Sequence, residues 1–103
     1  MGKSITPEEL NNKIASGEKI TVLDLRRQAD FDADPELIPG ALKLDPAKIE
    51  EWSVNLPQGQ ETVIYCARGG SISQSARETL QRKGLKASYI EGGLAAWKKS
   101  KQI

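Results

Sequence analysis

The sequence predicts an α/β domain, a mainly parallel sheet with helices on both faces, and three observations carry that reading. Runs of β-branched and apolar residues recur about every twenty positions, at residues 20–25, 41–44, 62–65 and 87–90. Segments of helical periodicity lie between them, the pattern of strands that run in one direction and are joined by right-handed crossovers. Capping and glycine signals bracket those segments where helices should begin and end. The 103 residues are read as one domain, enough for one core but not for two.

The first helix has a dense start signal in Ser4-Ile5-Thr6-Pro7-Glu8-Glu9-Leu10. Thr6 can cap it, Glu9 can reach back to complete a capping box, Pro7 suits the first helical position, and Ile5 can staple against Leu10. Leu10 and Ile14 continue an apolar face, and Gly17 supplies a left-handed stop. Residues 1–6 also have the form of a myristoylation signal, but the cap explains Thr6 and is the reading adopted.

Ile20-Thr21-Val22-Leu23-Asp24-Leu25 reads as a buried strand with a carboxylate near its end. A buried Asp is unfavourable unless bonded, so Asp24 should accept backbone or Arg hydrogen bonds and organise the loops around it. Arg26 leaves the strand at its carboxyl end, either facing a site or solvated. Residues 28–36 are polar and acidic with Phe31 as the anchor, an irregular connection with at most a short helical turn. Leu37-Ile38-Pro39-Gly40 is a turn into a short strand over residues 41–44, and Asp45-Pro46 then caps a helix to about Trp52, a core or interface aromatic. Pro57-Gln58-Gly59-Gln60 forms the next loop.

The stretch from Thr62 to Gly84 concentrates the chemistry. Thr62-Val63-Ile64-Tyr65 ends at the only cysteine, Cys66; Ala67-Arg68-Gly69-Gly70-Ser71 follows; then Ile72, Ala76 and Leu80 fall four apart on one helical stripe. In this strand, loop and helix, Gly69 and Gly70 can take positive φ and let consecutive N–H groups face one concavity. The helix starting near Ser71 or Ser73 aims its positive end there. A thiol with an ordinary pKa near 8.5 is ionised more readily in such a place, more so with Arg68 beside it. A structural cysteine is expected inside an apolar run. Cys66 instead sits where the run ends, at the sheet edge where parallel sheets bind ligands.

Residues 85–90 supply a final strand, Glu91-Gly92-Gly93 a second glycine turn, and Leu94 and Trp97 lead a last helix whose lysines suit its C-terminus. In a parallel sheet the loops after Leu25, Tyr65 and Ile90 emerge at one edge. That brings Arg26, the Cys66 loop and Gly92-Gly93 together.

Composition excludes much else. The net charge of +1, with acids and bases interspersed, offers no field for nucleic acid or a membrane surface. No apolar run approaches the roughly 20 residues of a spanning helix, and no secretory core follows Met1, so the chain is read as soluble and cytoplasmic. Without histidine the chain cannot build a Ser-His-Asp triad, a Cys-His pair or a histidine-based zinc site; with one cysteine it cannot form an internal disulfide. Backbone dipoles, Arg or Lys must therefore activate Cys66.

Four segments together, in order and spacing, resemble the rhodanese family of sulfurtransferases over nearly the whole chain. They are Val22-Leu23-Asp24-Leu25-Arg26, Ile38-Pro39-Gly40-Ala41, Ile64-Tyr65-Cys66 with its glycine loop, and Glu91-Gly92-Gly93-Leu94-Ala95-Ala96-Trp97. The resemblance implies a five-stranded rhodanese-like fold and a persulfide on Cys66, loaded by a small anionic donor such as thiosulfate and discharged to cyanide or a thiol. A protein can equally serve as donor or acceptor. The N–H groups of Ala67, Arg68, Gly69, Gly70, Ser71, Ile72 and Ser73 would steady the persulfide, Arg68 and Arg26 would attract the donor, and Asp24, Gly92 and Gly93 would shape the site. Double displacement through one cysteine needs no metal or organic cofactor.

The chain departs from the family at Leu37, where members usually have His, and in a Cys66 loop that aligns one residue longer. A longer loop is similar to those of phosphatases and arsenate reductases of the same fold, but their clamping Arg, six positions after the cysteine, is here Ile72. The loop is also similar to that of small rhodaneses associated with chromate resistance. Sulfur transfer is therefore the leading expectation. The alternatives are an oxyanion-processing enzyme, that is a phosphatase or a reductase of arsenate or chromate, and a rhodanese-like binding module without chemistry.

Overall fold

The computed structural model describes residues 4–68 and 70–101. Among these, β1 (Ser4–Ile5), β2 (Ile20–Asp24), β3 (Ala41–Lys43), β4 (Glu61–Tyr65) and β5 (Ala87–Ile90) form one 5-stranded sheet in the order β1-β5-β4-β2-β3. Every pairing is parallel. The helices are α1 (Pro7–Ala15), α2 (Gln28–Ala33), α3 (Ile49–Trp52), α4 (Ser71–Arg82) and α5 (Gly93–Ser100). Alternation along the strands fills two layers. Val22, Val63, Tyr65 and Ile90 pack with Leu10 of α1 and Leu94 and Trp97 of α5. Leu23, Ile64 and Ala87 pack on the other side with Ala76 and Leu80 of α4 and the flanking Ile49 and Trp52 of α3. Both faces are covered, which is why the strands read as continuous apolar runs rather than alternating ones.

The first helix follows its sequence signals. Glu9 N–H donates to Thr6 Oγ1 at 3.1 Å and Thr6 N–H to Glu9 Oε1 at 2.8 Å, completing the capping box. Ile5 and Leu10 share one core layer, as a staple requires. Ile5 has a second role that its sequence does not reveal: with Ser4 it forms β1, in register with Tyr89 and Ile90. Two residues are too short for any periodicity, so only the partner strand defines this edge.

Two connections differ from expectation. Residues 28–36, expected to be irregular with at most a short helical turn, contain the six-residue α2, more than that one turn, tied by Gln28 Nε2 to Asp32 Oδ1 at 2.8 Å. Phe31 anchors it half-buried, beneath the Arg26 guanidinium and the Lys43 ammonium, 5.2 and 5.6 Å from its ring centre. The single helix expected after Asp45 is instead a 3₁₀ turn over Pro46–Lys48, the four-residue α3, and a second 3₁₀ turn over Ser53–Asn55. Asp45 does cap its start, accepting from Ala47 N–H at 2.9 Å.

The topology places the functional edge. From β2 the chain moves outward to β3, and from β4 it moves the other way to β5, so the connections diverge between β2 and β4. A crevice opens at the carboxyl ends of these strands. Its floor is organised by Asp24, which is fully buried, and Arg26, which is 2% exposed. Arg26 Nε donates to both carboxylate oxygens (3.1 and 2.9 Å), Nη2 to Oδ2 (2.7 Å), and the Arg26 N–H to Oδ1 (2.9 Å). Its remaining donors reach the carbonyls of Asp34 (2.6 Å) and Glu36 (3.0 Å). Of the two alternatives for Arg26, its 2% exposure excludes solvation, and its guanidinium donors are taken up by Asp24 and two carbonyls. Asp24 accepts the backbone and Arg hydrogen bonds expected of it.

Breaking a buried pair leaves the surviving charge without a partner. Asp24→Ala is therefore expected to lower unfolding free energy by about 3–5 kcal/mol, read from urea denaturation. A loss within 1 kcal/mol, the range of an exposed ion pair, would contradict this account. Gly92 has φ 74°, and a Cβ there would lie 2.6 Å from the Ala96 Cβ. Gly92→Ala is expected to cost about 2 kcal/mol by the same measurement.

Candidate active site

Cys66 directly follows β4, and Leu25 N–H donates to Tyr65 O at 2.8 Å, so the pairing of β2 with β4 holds up to the residue before the thiol. The next constraint comes from α5. Gly92 and Gly93 adopt φ of 74° and 62°, the left-handed conformations that turn the chain from β5 into this helix. Amides of the first turn of a helix have no partner within it. Here Leu94 N–H donates to Cys66 O at 2.9 Å and Ala95 N–H to Ala67 O at 3.1 Å. The carbonyls of the loop are thus held toward α5, while the N–H groups of Arg68, Gly70 and Ser73 serve the sulfur.

The helix after the cysteine starts at Ser71, the earlier of the two starts its sequence allows. Gly70 stands at its N-cap with φ −85°, in extended backbone; the positive φ expected of Gly70 is not adopted, because the chain enters α4 without a left-handed step. Gly69 lies outside the described residues. Ser73 takes a part beyond its amide. It is fully buried, and its Oγ has no regular hydrogen-bond partner. It makes no formed hydrogen bond, but it lies near enough to the Cys66 sulfur to favour the anion, to which a hydroxyl can donate.

Burial pushes the Cys66 thiol up, but the Ser73 hydroxyl and the amides of Arg68, Gly70 and Ser73 outweigh it, so the thiol titrates below its ordinary value. Cys66 is 5% exposed, yet it lines a cavity of about 260 Å³ together with Arg27, Asp30, Ala67, Arg68, Gly70, Ser71 and Ile72. An anionic sulfur on a cavity floor, ringed by donors, can attack an electrophilic atom that fits above it and hold the resulting adduct.

The structure brings together Cys66, Ala67, Arg68, Gly70, Ser71, Ile72 and Ser73. Gly92 and Gly93 act behind them, through α5. Two residues of the cavity were not anticipated, Arg27 and Asp30. A signal for Arg27 exists: successive side chains point opposite ways along extended backbone, and Arg27 has φ −63° and ψ 154°. With Arg26 turned inward to Asp24, Arg27 is sent to the cavity. Among the described residues no group of three or more His, Cys, Asp or Glu side chains is placed to hold a metal ion. No helix among them is long and apolar enough to cross a membrane.

Known proteins resemble this chain in sequence and in fold. The rhodanese-like domain profile matches residues 6–100. The probable adenylyltransferase/sulfurtransferase MoeZ of Mycobacterium tuberculosis is 32% identical over 106 aligned positions, covering 98% of this chain; the chain spans only 26% of that relative's length. The thiosulfate sulfurtransferase GlpE of Coxiella burnetii is 35% identical over 80 positions, covering 77% of this chain and 72% of GlpE. A solved protein of Rhodopseudomonas palustris, of unknown function and described as a possible tyrosine phosphatase, superposes with a TM-score of 0.81 at 28% identity, over 96% of this chain and 81% of that one. With its wholly parallel 5-stranded sheet and its cysteine loop between β4 and α4, this chain belongs to the rhodanese-like domain family.

Proposed function

We propose that the protein is a cytoplasmic, single-domain sulfurtransferase that moves a sulfane sulfur from a thiosulfate-like donor to cyanide or a thiol through a persulfide on Cys66. The observation that carries this reading is the position of Cys66, which ends β4, lines a cavity with the loop that leads into α4, and is drawn toward its anion by the amides of Arg68, Gly70 and Ser73 and the nearby Ser73 hydroxyl. The Cys66 thiolate attacks the outer sulfur of thiosulfate, the bond between the two sulfurs breaks, and sulfite leaves with the electron pair. The persulfide anion inherits the same donors. Cyanide or a thiolate then attacks the outer sulfur, leaves as thiocyanate or a persulfide, and restores the Cys66 thiolate. A protein persulfide or thiol can take either place.

A second reading, an oxyanion-processing enzyme, is favoured by the resemblance to the R. palustris protein and by the longer loop. It is disfavoured by Ile72, whose side chain lines the cavity where a tetrahedral dianion would need a bidentate cation. Turnover of an aryl phosphate above thiocyanate formation would reverse the order.

Treatment with thiosulfate followed by intact-mass measurement is expected to show one added sulfur, removed by cyanide and absent in Cys66→Ser; no adduct would refute the transfer reading. The loading rate should rise with pH along the thiolate fraction, with a midpoint below that of an ordinary cysteine. Ser73→Ala removes one donor to the anion and is expected to raise this midpoint by about one pH unit while the fold persists. An unmoved midpoint would remove the hydroxyl from the account.

A further inference from the structure

The Cys66 cavity adjoins two others. One, lined by Arg26, Asp34, Leu94 and Lys98 among others, shares Asp30, Ala67 and Arg68 with it; the second, lined by Lys43 and Asp45 among others, shares Arg27 and Ile72. Most charged side chains along this connected surface are already matched. Arg26 is bound to Asp24, and Lys98 pairs with Asp34 and Glu36. Lys43 donates to the Arg26 carbonyl at 2.9 Å, and Asp45 caps Ala47. Among the described residues three are left without a side-chain partner, Arg27, Asp30 and Arg68, and all three line the cavity that holds Cys66.

Two free cations and one free anion around a nucleophile do not suit a simple dianion. Thiosulfate would gain from Arg27 and Arg68 but be repelled by Asp30, whose charge is not neutralised by any neighbour within ion-pair distance. A donor with both signs of charge meets all three groups. On the transfer reading above, we propose that this site selects a small persulfide bearing both an ammonium and a carboxylate, an amino-acid-type donor, with Asp30 receiving the ammonium and Arg27 and Arg68 the carboxylate.

The chemistry balances without a further reagent. The Cys66 thiolate attacks the outer sulfur of R–S–S–H, the donor S–S bond breaks, and R–S⁻ leaves with its electron pair. Cys66 becomes the neutral persulfide, which ionises under the same donors. The cavity volume of about 260 Å³ leaves room beside the sulfur for the charged part of such a donor.

The test compares loading of Cys66 by cysteine persulfide, by its N-acetyl derivative, which lacks the ammonium, and by thiosulfate, all read by intact mass over time. With the unmodified protein, cysteine persulfide is expected to load faster than the acetylated donor by about fivefold. Asp30→Asn should erase that preference and speed loading by thiosulfate; Arg27→Gln should slow all three. Equal rates for the two persulfides in the unmodified protein, or an unchanged preference in Asp30→Asn, would overturn the selectivity while leaving sulfur transfer intact. Failure of all three donors to load Cys66 would overturn the transfer reading itself and this inference with it.

Discussion

The buried pair of Asp24 and Arg26 is the interaction on which the arrangement of this edge depends. Two opposite charges inside a protein are tolerated only when their hydrogen bonds are also met. Here Arg26 meets them by reaching the carbonyls of Asp34 and Glu36, which draws the segment between α2 and β3 over the end of the sheet. The same segment offers the Asp34 and Glu36 side chains to Lys98 of α5. α5 in turn holds the Cys66 and Ala67 carbonyls with its first amides. A carboxylate at the end of β2 is thus connected, through directional bonds, to the orientation of the loop that follows β4.

That loop replaces what histidine would supply elsewhere. The chain has no imidazole to draw a proton from the thiol. Its substitute is a set of dipoles, the amides of Arg68, Gly70 and Ser73, with a nearby Ser73 hydroxyl that has no hydrogen-bond partner of its own. Burial alone would keep the sulfur protonated. The sulfur titrates low because the donors outweigh desolvation, so the site relies on geometry more than on any charged neighbour. Arg68, expected both to ease ionisation of the thiol and to attract the donor, contributes its amide to the sulfur, and the exposed residue lines the cavity.

The first helix and its cap, the four longer strands, the break at Gly17 and the position of Cys66 at a strand end were legible because each depends on neighbours a few residues away. Hydrogen-bonding reach along the chain decides Thr6 and Glu9, and the period of the core decides the stripe from Ile72 to Leu80. The fifth strand was not legible bottom-up, since Ser4 and Ile5 are made a strand by β5 alone. The conformation of Gly70 and the helical state of residues 28–33 were likewise settled by how the chain meets the rest of the fold.

The amino-acid order by itself determined the α/β class, the lone thiol and the absence of any imidazole or second thiol to assist it, because these follow from periodicity and composition. Only the tertiary structure decided which of two adjacent arginines is spent inside and which faces the cavity. Only it decided that the Ser73 hydroxyl is buried near the sulfur. Both outcomes depend on irregular loops that turn the chain back on itself, carrying Asp34 and Glu36 to Arg26 and Ser73 to Cys66, and the path of such a loop leaves no periodic mark in a sequence.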